Sequence, residues 1–135
     1  MSREHDVLAE HVAMWLRRAN RDLGAAALDL SVEPPFLADA VFHCQQAAEK
    51  ALKGLLAAHA RVFGKTHIIE DLAPDLLASD ATLEPILRRA SRLTVYAWKF
   101  RYPGEADEPP LAEAREALEI ARAVVAAVEE RIARS

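Results

Sequence analysis

The chain has 135 residues, of which 52% are hydrophobic, and a formal net charge of −4. A chain of this length is long enough for one domain with a single core, so we expect residues 1–135 to fold as one domain. The negative charge argues against a surface that attracts nucleic acid everywhere, and no apolar run approaches the ~18 residues that cross a bilayer, so we expect no membrane contact.

The composition favours helices throughout, with only 4 glycines and with long runs of alanine, leucine, arginine and glutamate. Apolar residues at three- and four-residue steps predict a first helix over about residues 5–30. A second helix is predicted to begin at the prolines of positions 34 and 35 and to continue to about Val62, where Gly64 supplies a stop.

The rest of the chain predicts one short helix and two long ones. Residues 64–82 favour a short helix, because Pro74 limits its continuity. A long helix is predicted from Thr82 to about Arg101, where the sequence Tyr-Pro-Gly ends it. The prolines at 109 and 110 would begin the last helix, whose apolar stripe covers residues 111–132. We therefore predict an all-α fold, an antiparallel up-and-down four-helix bundle with one additional short helix.

The second predicted helix carries a polar stripe on an alanine-rich segment, CQQAAEKALK at residues 44–53. At about 100° per residue, one face of this helix holds Asp39, His43, Gln46, Lys50 and Lys53. Gln45 and Glu49 lie at the edge of that face, where a polar side chain can reach a neighbouring helix or a second subunit. We predict a binding site along the stripe, although Glu49 and Lys53 also form an i,i+4 pair that could serve the helix alone.

Charge is distributed unevenly around the end of the fourth predicted helix. Residues 85–104 include five basic residues and no acid, and residues 105–119 include six acids and one arginine. These segments could neutralise each other between neighbouring helices, each exposed pair contributing about 0.2–1 kcal/mol. Alternatively, Arg101 could converge with Gln46, Lys50 and Lys53 on a phosphate group, a task that suits the planar fork of arginine. Both interpretations stay open.

Four segments resemble the HEPN family, which is named for a higher-eukaryote and prokaryote nucleotide-binding domain. In the order of the family, these segments are Trp15 with Ala19 and Asp22-Leu23, CQQAAEKALKGLL at 44–56, Lys65-Thr-His67, and Arg101-Tyr-Pro103. The resemblance implies a helical bundle that is frequently a dimer and is often encoded beside a minimal nucleotidyltransferase partner. In some cases such a protein is the toxin of a toxin–antitoxin pair.

The resemblance and the stripe together lead us to expect a homodimer that binds a nucleotide, RNA or a nucleotidyltransferase partner. Arg101 would be the main group that faces phosphate, with Tyr102 and Pro103 fixing the turn that presents it. The expected ligand-binding residues are Gln46, Glu49, Lys50, Lys53, Arg101 and Tyr102.

Active ribonucleases of the wider superfamily use an arginine that is followed four to six residues later by a histidine. Arg101 occupies the matching arginine position here, but no histidine follows His67 in the chain. We therefore expect no intact ribonuclease motif. The alternative is a metal-independent endoribonuclease toxin in which the fold, or a second subunit, brings His67 to Arg101 as a catalytic pair. Arg61 and His67 have the motif spacing, but across a predicted helix end, and His67 is also expected to cap or anchor the short helix.

Other kinds of site find no support in the sequence. It has no zinc-ligand spacing, no glycine-rich phosphate loop and no nucleophile elbow, so we expect neither a metal nor a cofactor. Trp15, Tyr96 and Trp98 have helical spacing and are expected in the core. The first residues, MSREHDVLAEH, have no apolar signal core, and the lone Cys44 cannot form an internal disulfide. We therefore expect a cytoplasmic protein.

Overall fold

The structure is a computed structural model that describes residues 3–104 and 107–134. Within these residues the chain is helical and has no strand, which confirms the predicted all-α class. The α-helices are α1 (Arg3–Ser31), α2 (Leu37–Ala58), α3 (Ala73–Ser79), α4 (Glu84–Ser91) and α5 (Leu111–Arg134). Short 3-10 turns at Ile69–Asp71, Ala81–Leu83 and Thr94–Ala97 flank α3 and α4. No described helix is both long enough and apolar enough to cross a bilayer.

α1 and α2 pack closely against each other in opposite directions. Trp15 in the first half of α1 contacts Gly54 near the end of α2, and Asp22 further along α1 pairs with Lys50. A Cβ atom added to Gly54 would lie 3.0 Å from the Cβ of Trp15, so a larger residue would push the helices apart. Four alanines of α2 are fully buried, and their small side chains let neighbouring helices approach α2 closely: Ala40, Ala47, Ala48 and Ala51.

α4 and α5 also run in opposite directions. Arg131 in the last turns of α5 donates from Nε to Asp80 at 2.9 Å, just before α4 begins. Arg92, which follows α4, pairs with Glu116 in the second turn of α5. Hydrogen bonds from Thr82 and then from Arg131 lower the pKa of Asp80 to about 2. α1 and α5 are antiparallel too, because Asn20 of α1 donates to Glu129 near the end of α5 while Leu30 lies near the beginning of α5. α1, α2, α4 and α5 therefore alternate in direction, with α3 as the additional short helix.

The fourth helix is much shorter than the sequence suggests. α4 ends at Ser91 and not near Arg101, and the 3-10 turn Thr94–Ala97 follows it. The hydroxyl of Thr94 accepts a hydrogen bond from the amide of Ile69, which holds this turn against the segment before α3. Because 3-10 and α-helical segments both place residues i and i+3 near each other, the apolar spacing continues across the break.

The second helix also ends earlier than predicted. α2 ends at Ala58, before the stop expected at Gly64. Ala60 adopts a left-handed conformation with φ of 55°, and the amide of Arg61 donates to the carbonyl of Leu56 at 2.9 Å. This is the Schellman arrangement, here made without the glycine that usually occupies its left-handed position. The chain then leaves the helix and returns along the side of α2.

Candidate functional site

Five polar side chains of α2 belong to two separate networks. The loop-side network consists of Gln45, Glu49, Lys53 and His67. The α1-side network consists of Asp22, Asp29, His43 and Lys50. Lys50 and Lys53 are only three residues apart, yet each bonds the carboxylate of a different network. Their positions on the helix place them about 60° apart, which is enough for neighbouring elements to draw them to opposite sides.

Glu49 lies at the centre of the loop-side network and is only 4% exposed. Its Oε1 accepts a hydrogen bond from Gln45 Nε2 at 2.9 Å and lies 3.0 Å from His67 Nδ1. Its Oε2 accepts from Lys53 Nζ at 3.1 Å. A buried carboxylate needs such partners, because an uncompensated buried charge costs several kcal/mol.

Lys53 connects this carboxylate to the chain that follows α2. Its side chain is 6% exposed, and its Nζ also donates to the carbonyl of Thr66 at 2.8 Å. The ammonium lies 6.0 Å from the ring centroids of both Trp15 and Phe63. Gln45 adds a bond to the carbonyl of His67 at 3.2 Å. Lys53 is therefore a buried structural cation that fastens residues 63–67 to α2.

His67 is the exposed member of the loop-side network. Its side chain is 65% exposed, and Nδ1 faces Glu49 while Nε2 bonds no described residue. In the tautomer that donates from Nδ1, Nε2 is an unprotonated acceptor, which is the arrangement of a general base. His67 caps neither the 3-10 turn Ile69–Asp71 nor α3, since no side chain caps either element. Thr66 beside it accepts a hydrogen bond from the amide of Ile68 at 3.0 Å. Arg61 pairs with Asp75, at 3.7 Å, and not with His67.

The α1-side network holds α1 on α2. Asp22 accepts from Lys50 Nζ at 2.7 Å and lies 3.1 Å from His43 Nδ1. His43 Nε2 lies 4.0 Å from a carboxylate oxygen of Asp29. Burial raises the pKa of Asp29, and the charge of His43 partly opposes that shift. The ammonium of Lys50 is thus engaged by a carboxylate within the protein.

Residues 98–104, which we call the Arg101 turn, present an exposed guanidinium. The amide of Arg101 donates to the carbonyl of Trp98 at 3.2 Å, and Phe100 between them adopts φ of 71°. The guanidinium carbon of Arg101 lies 3.8 Å from the ring centroid of Phe42 on α2. Tyr102 beside it is 64% exposed. The turn therefore places a cation and a phenol ring at the surface, over the first half of α2.

Arg101 differs from Arg88 and Arg92 in its electrostatic surroundings. Among residues 3–104 and 107–134, no carboxylate lies within 4.0 Å of its guanidinium. Arg88 pairs with Glu84 inside α4, and Arg92 pairs with Glu116 of the acidic segment. Mutual neutralisation of the basic and acidic segments therefore accounts for Arg92 and leaves Arg101 with its charge unpaired within the described part of the chain.

The predicted site residues contact different parts of α2 and do not form one cluster. Arg101 reaches the helix at Phe42, one turn before Gln46, which is partly buried and donates to the side-chain oxygen of Gln45 at 2.7 Å. Glu49, with His67 on it, lies seven residues beyond Phe42, or about 10 Å along the axis. Arg101 thus contacts the first half of α2, Gln46 bonds the loop-side network through Gln45, and Lys50 bonds Asp22 of α1. Glu49 and Lys53 are buried further along the helix.

Two aromatic residues, Trp98 and Phe42, have positions that the sequence did not predict. Trp98, expected in the core, is 44% exposed because it lies in the Arg101 turn and not in a helix. Phe42, the support of Arg101, was not identified, although it lies four residues before Gln46 on the same face. Tyr96 does lie in the core, where its hydroxyl donates to Glu113 at 2.7 Å and burial raises its pKa. The described residues contain no cluster of histidine, cysteine and carboxylate groups that could hold a metal ion.

Three of the four segments that prompted the family resemblance contact α2, the helix that carries the fourth. Their contacts follow the helix from its first half to its end: Arg101 on Phe42, His67 on Glu49, Asp22 on Lys50, and Trp15 on Gly54. One helix therefore brings together residues that lie far apart in the sequence.

Comparisons with known proteins agree with this arrangement. The family model for the HEPN domain matches residues 12–131. The crystal structure of TT1696 from Thermus thermophilus is 34% identical, with a TM-score of 0.76 over 88% of this chain and 96% of that chain. The crystal structure of ST0689, an archaeal HEPN homologue, is 28% identical, with a TM-score of 0.72 over 90% of this chain and 97% of that chain. A comparison with curated proteins finds no match.

Proposed function

The chain belongs to the HEPN domain family, and from this premise we propose that it binds a nucleotide or RNA through the Arg101 turn. The observation that carries the proposal is the exposed guanidinium of Arg101, which rests on Phe42 and pairs with no described carboxylate. An arginine that forms no ion pair with its own protein keeps its full hydrogen-bonding capacity for an external anion.

The stacking on Phe42 suits arginine to this task. A ring against the flat side of the guanidinium holds its plane, while the N–H donors along the edge stay free to bind a phosphate in a bidentate manner. Tyr102 and Gln46 would add contacts to the sugar or base. In this proposal Lys50, Lys53 and Glu49 act at a distance by keeping α2 fixed beneath the turn.

The proposal is tested by titrating the purified protein with adenosine monophosphate and with a short oligoribonucleotide. Replacing Arg101 by alanine is expected to weaken binding by about tenfold, the effect of one charge-assisted phosphate contact. Arg101→Lys should recover only part of the loss, because lysine cannot bind in the bidentate manner. Arg88→Ala, which removes an exposed arginine already paired with Glu84, is the matched control. Equal affinity of Arg101→Ala and the wild type would show that the turn does not bind the ligand.

A second candidate function is a metal-independent endoribonuclease toxin, and the orientation of His67 by Glu49 favours it. Nε2 of His67 would accept the proton of a ribose 2′-hydroxyl as that oxygen attacks the phosphate and the 5′-oxygen leaves. Arg101 contacts α2 at Phe42 and His67 contacts it at Glu49, two positions about 10 Å apart along the helix axis. In this candidate function a second subunit brings the two side chains to one phosphate.

This activity predicts growth arrest on expression and cleavage of a fluorogenic RNA in the presence of a chelator. Both effects should disappear in His67→Ala and in Arg101→Ala. Harmless expression together with intact RNA would exclude the toxin function and leave the binding function in place.

We further propose a homodimer and a minimal nucleotidyltransferase partner, both implied by the family. Phe36, just before α2, and Trp98, in the Arg101 turn, are exposed aromatic residues, and their exposure supports an interface that includes them. Light scattering should give twice the mass of the chain, and Trp98→Lys should lower the measured mass.

Co-expression with a minimal nucleotidyltransferase, followed by purification through a tag on one component, tests the proposed nucleotidyltransferase partner.

A further inference from the structure

A groove of about 800 Å³ follows the outer face of α5 between the end of α1 and α4. Its polar lining includes Arg89 of α4 and Arg115, Glu119 and Arg122 of α5. Leu118 of α5 contributes to its apolar part. The volume falls in the range of ~300–1,000 Å³ that small-molecule sites occupy, and the groove is open to solvent along its length. None of these residues takes part in the Arg101 turn or in the two networks of α2.

The groove concentrates positive charge in a protein of net charge −4. Arg89, Arg115 and Arg122 are all exposed, and none forms an ion pair with a described residue. Glu116, the other carboxylate of the lining, is already neutralised by Arg92. Glu119 is then the one lining carboxylate that has no ion pair within the described residues. Three unpaired guanidinium groups beside one unpaired carboxylate leave an excess of positive charge, which attracts anions.

The spacing of the arginines indicates what kind of anion fits. Arg115 and Arg122 lie seven residues apart on α5, which is two turns or about 10 Å along the axis, and Arg89 faces them from α4. Arginines spread along the groove in this way can each contact a different phosphate of one extended ligand. We propose that the groove binds a chain with repeated phosphate groups, in which the arginines contact different phosphates. Single-stranded RNA and inorganic polyphosphate share this chemistry.

The test measures the affinity of the full chain for a single-stranded oligoribonucleotide, for inorganic polyphosphate and for orthophosphate at several salt concentrations. Arg115→Ala, Arg122→Ala and Arg89→Ala are each expected to weaken binding of the chain ligand by about five- to tenfold. Each should also reduce the slope of log affinity against log salt by about 0.7–1, the value for one lost phosphate contact. Glu119→Gln should strengthen binding, because it removes the carboxylate that repels phosphate.

Arg18→Ala is the matched control, since Arg18 is an exposed arginine of α1 outside the groove. It should bind like the wild type. The groove variants should lose the same factor of affinity in an Arg101→Ala background, which separates this groove from the site of the proposed function. Tighter binding of RNA or of polyphosphate than of orthophosphate, lost in the groove variants, supports the groove and identifies its ligand. Equal affinities of the groove variants and Arg18→Ala, or no preference for a chain over orthophosphate, would overturn it.

Discussion

The loop-side network and the Arg101 turn place positive charge in opposite environments. Lys53 is buried among a carboxylate, a backbone carbonyl and two aromatic rings, whereas Arg101 is exposed and rests on a single ring. Both cations belong to segments that resemble the same family. The contrast indicates that shared motif residues have different roles, because a cation whose donors are used inside the protein stabilises the fold and an unpaired one is available to a ligand.

The largest loss of stability is expected from removing the buried carboxylate of Glu49. Glu49→Ala should lower the free energy of unfolding by about 3–5 kcal/mol, because it leaves the ammonium of Lys53 buried without its partner. Urea denaturation measures this loss. The matched control is Glu84→Ala, which removes the exposed partner of Arg88 and should cost no more than about 1 kcal/mol. Similar losses in the two variants would mean that Lys53 is not a buried structural cation.

A smaller effect is expected where Trp15 covers the end of α2. Gly54→Val should lower the free energy of unfolding by about 1–3 kcal/mol, since the added atoms would overlap the side chain of Trp15. Gly24→Ala in α1 is the control, because a Cβ there meets nothing within 4 Å. That substitution should stabilise the protein by about 0.5–1 kcal/mol through helix propensity. Thermal unfolding of both variants checks the prediction, and stabilisation by Gly54→Val would contradict it.

The smallest loss of stability is expected from the ion pair of Asp80 and Arg131. This pair is partly exposed, so its environment lies between that of the buried Lys53 and that of the exposed Arg101. Hydrogen bonds lower the pKa of Asp80 from 3.8 to about 2, so its contribution to stability is present above about pH 4 and is lost as the pH falls through about 2. The melting temperature of Asp80→Asn should therefore lie below that of the wild type at neutral pH, and the two should approach each other in acid. A difference that does not change with pH would rule out this linkage.

Most of the fold was predictable because its long helices follow a regular apolar pattern. α1 and α5 lie within a few residues of their predicted limits, which proline-rich breaks mark clearly. The pattern failed for α4, since a 3-10 turn preserves the three-residue spacing of apolar residues. It failed again at the end of α2, where Ala60 adopts a conformation that sequence rules assign to glycine.

The site was less predictable, because periodicity specifies a face of a helix but not the partner of each side chain. Lys50 and Lys53 were placed on one stripe, and only the packing of α1 and residues 63–67 determines that they bond different carboxylates. The contact of Arg101 with Phe42 depends on the path of the Arg101 turn, and no sequence pattern specifies where this turn lies against α2. Tertiary contacts therefore decide which of the predicted cations stays unpaired.

Amide chemical shifts recorded during titration with a short oligoribonucleotide test most directly whether phosphate binds at the Arg101 turn. The largest shifts are expected at Arg101 and Tyr102 and at Phe42 and Gln46 beneath them, with little change at Asp22 and Lys50. Saturation should require more ligand in Arg101→Ala. The contrary result would be shifts concentrated on the α1-side network or on the loop-side network, with the amides of residues 98–104 unchanged at saturation.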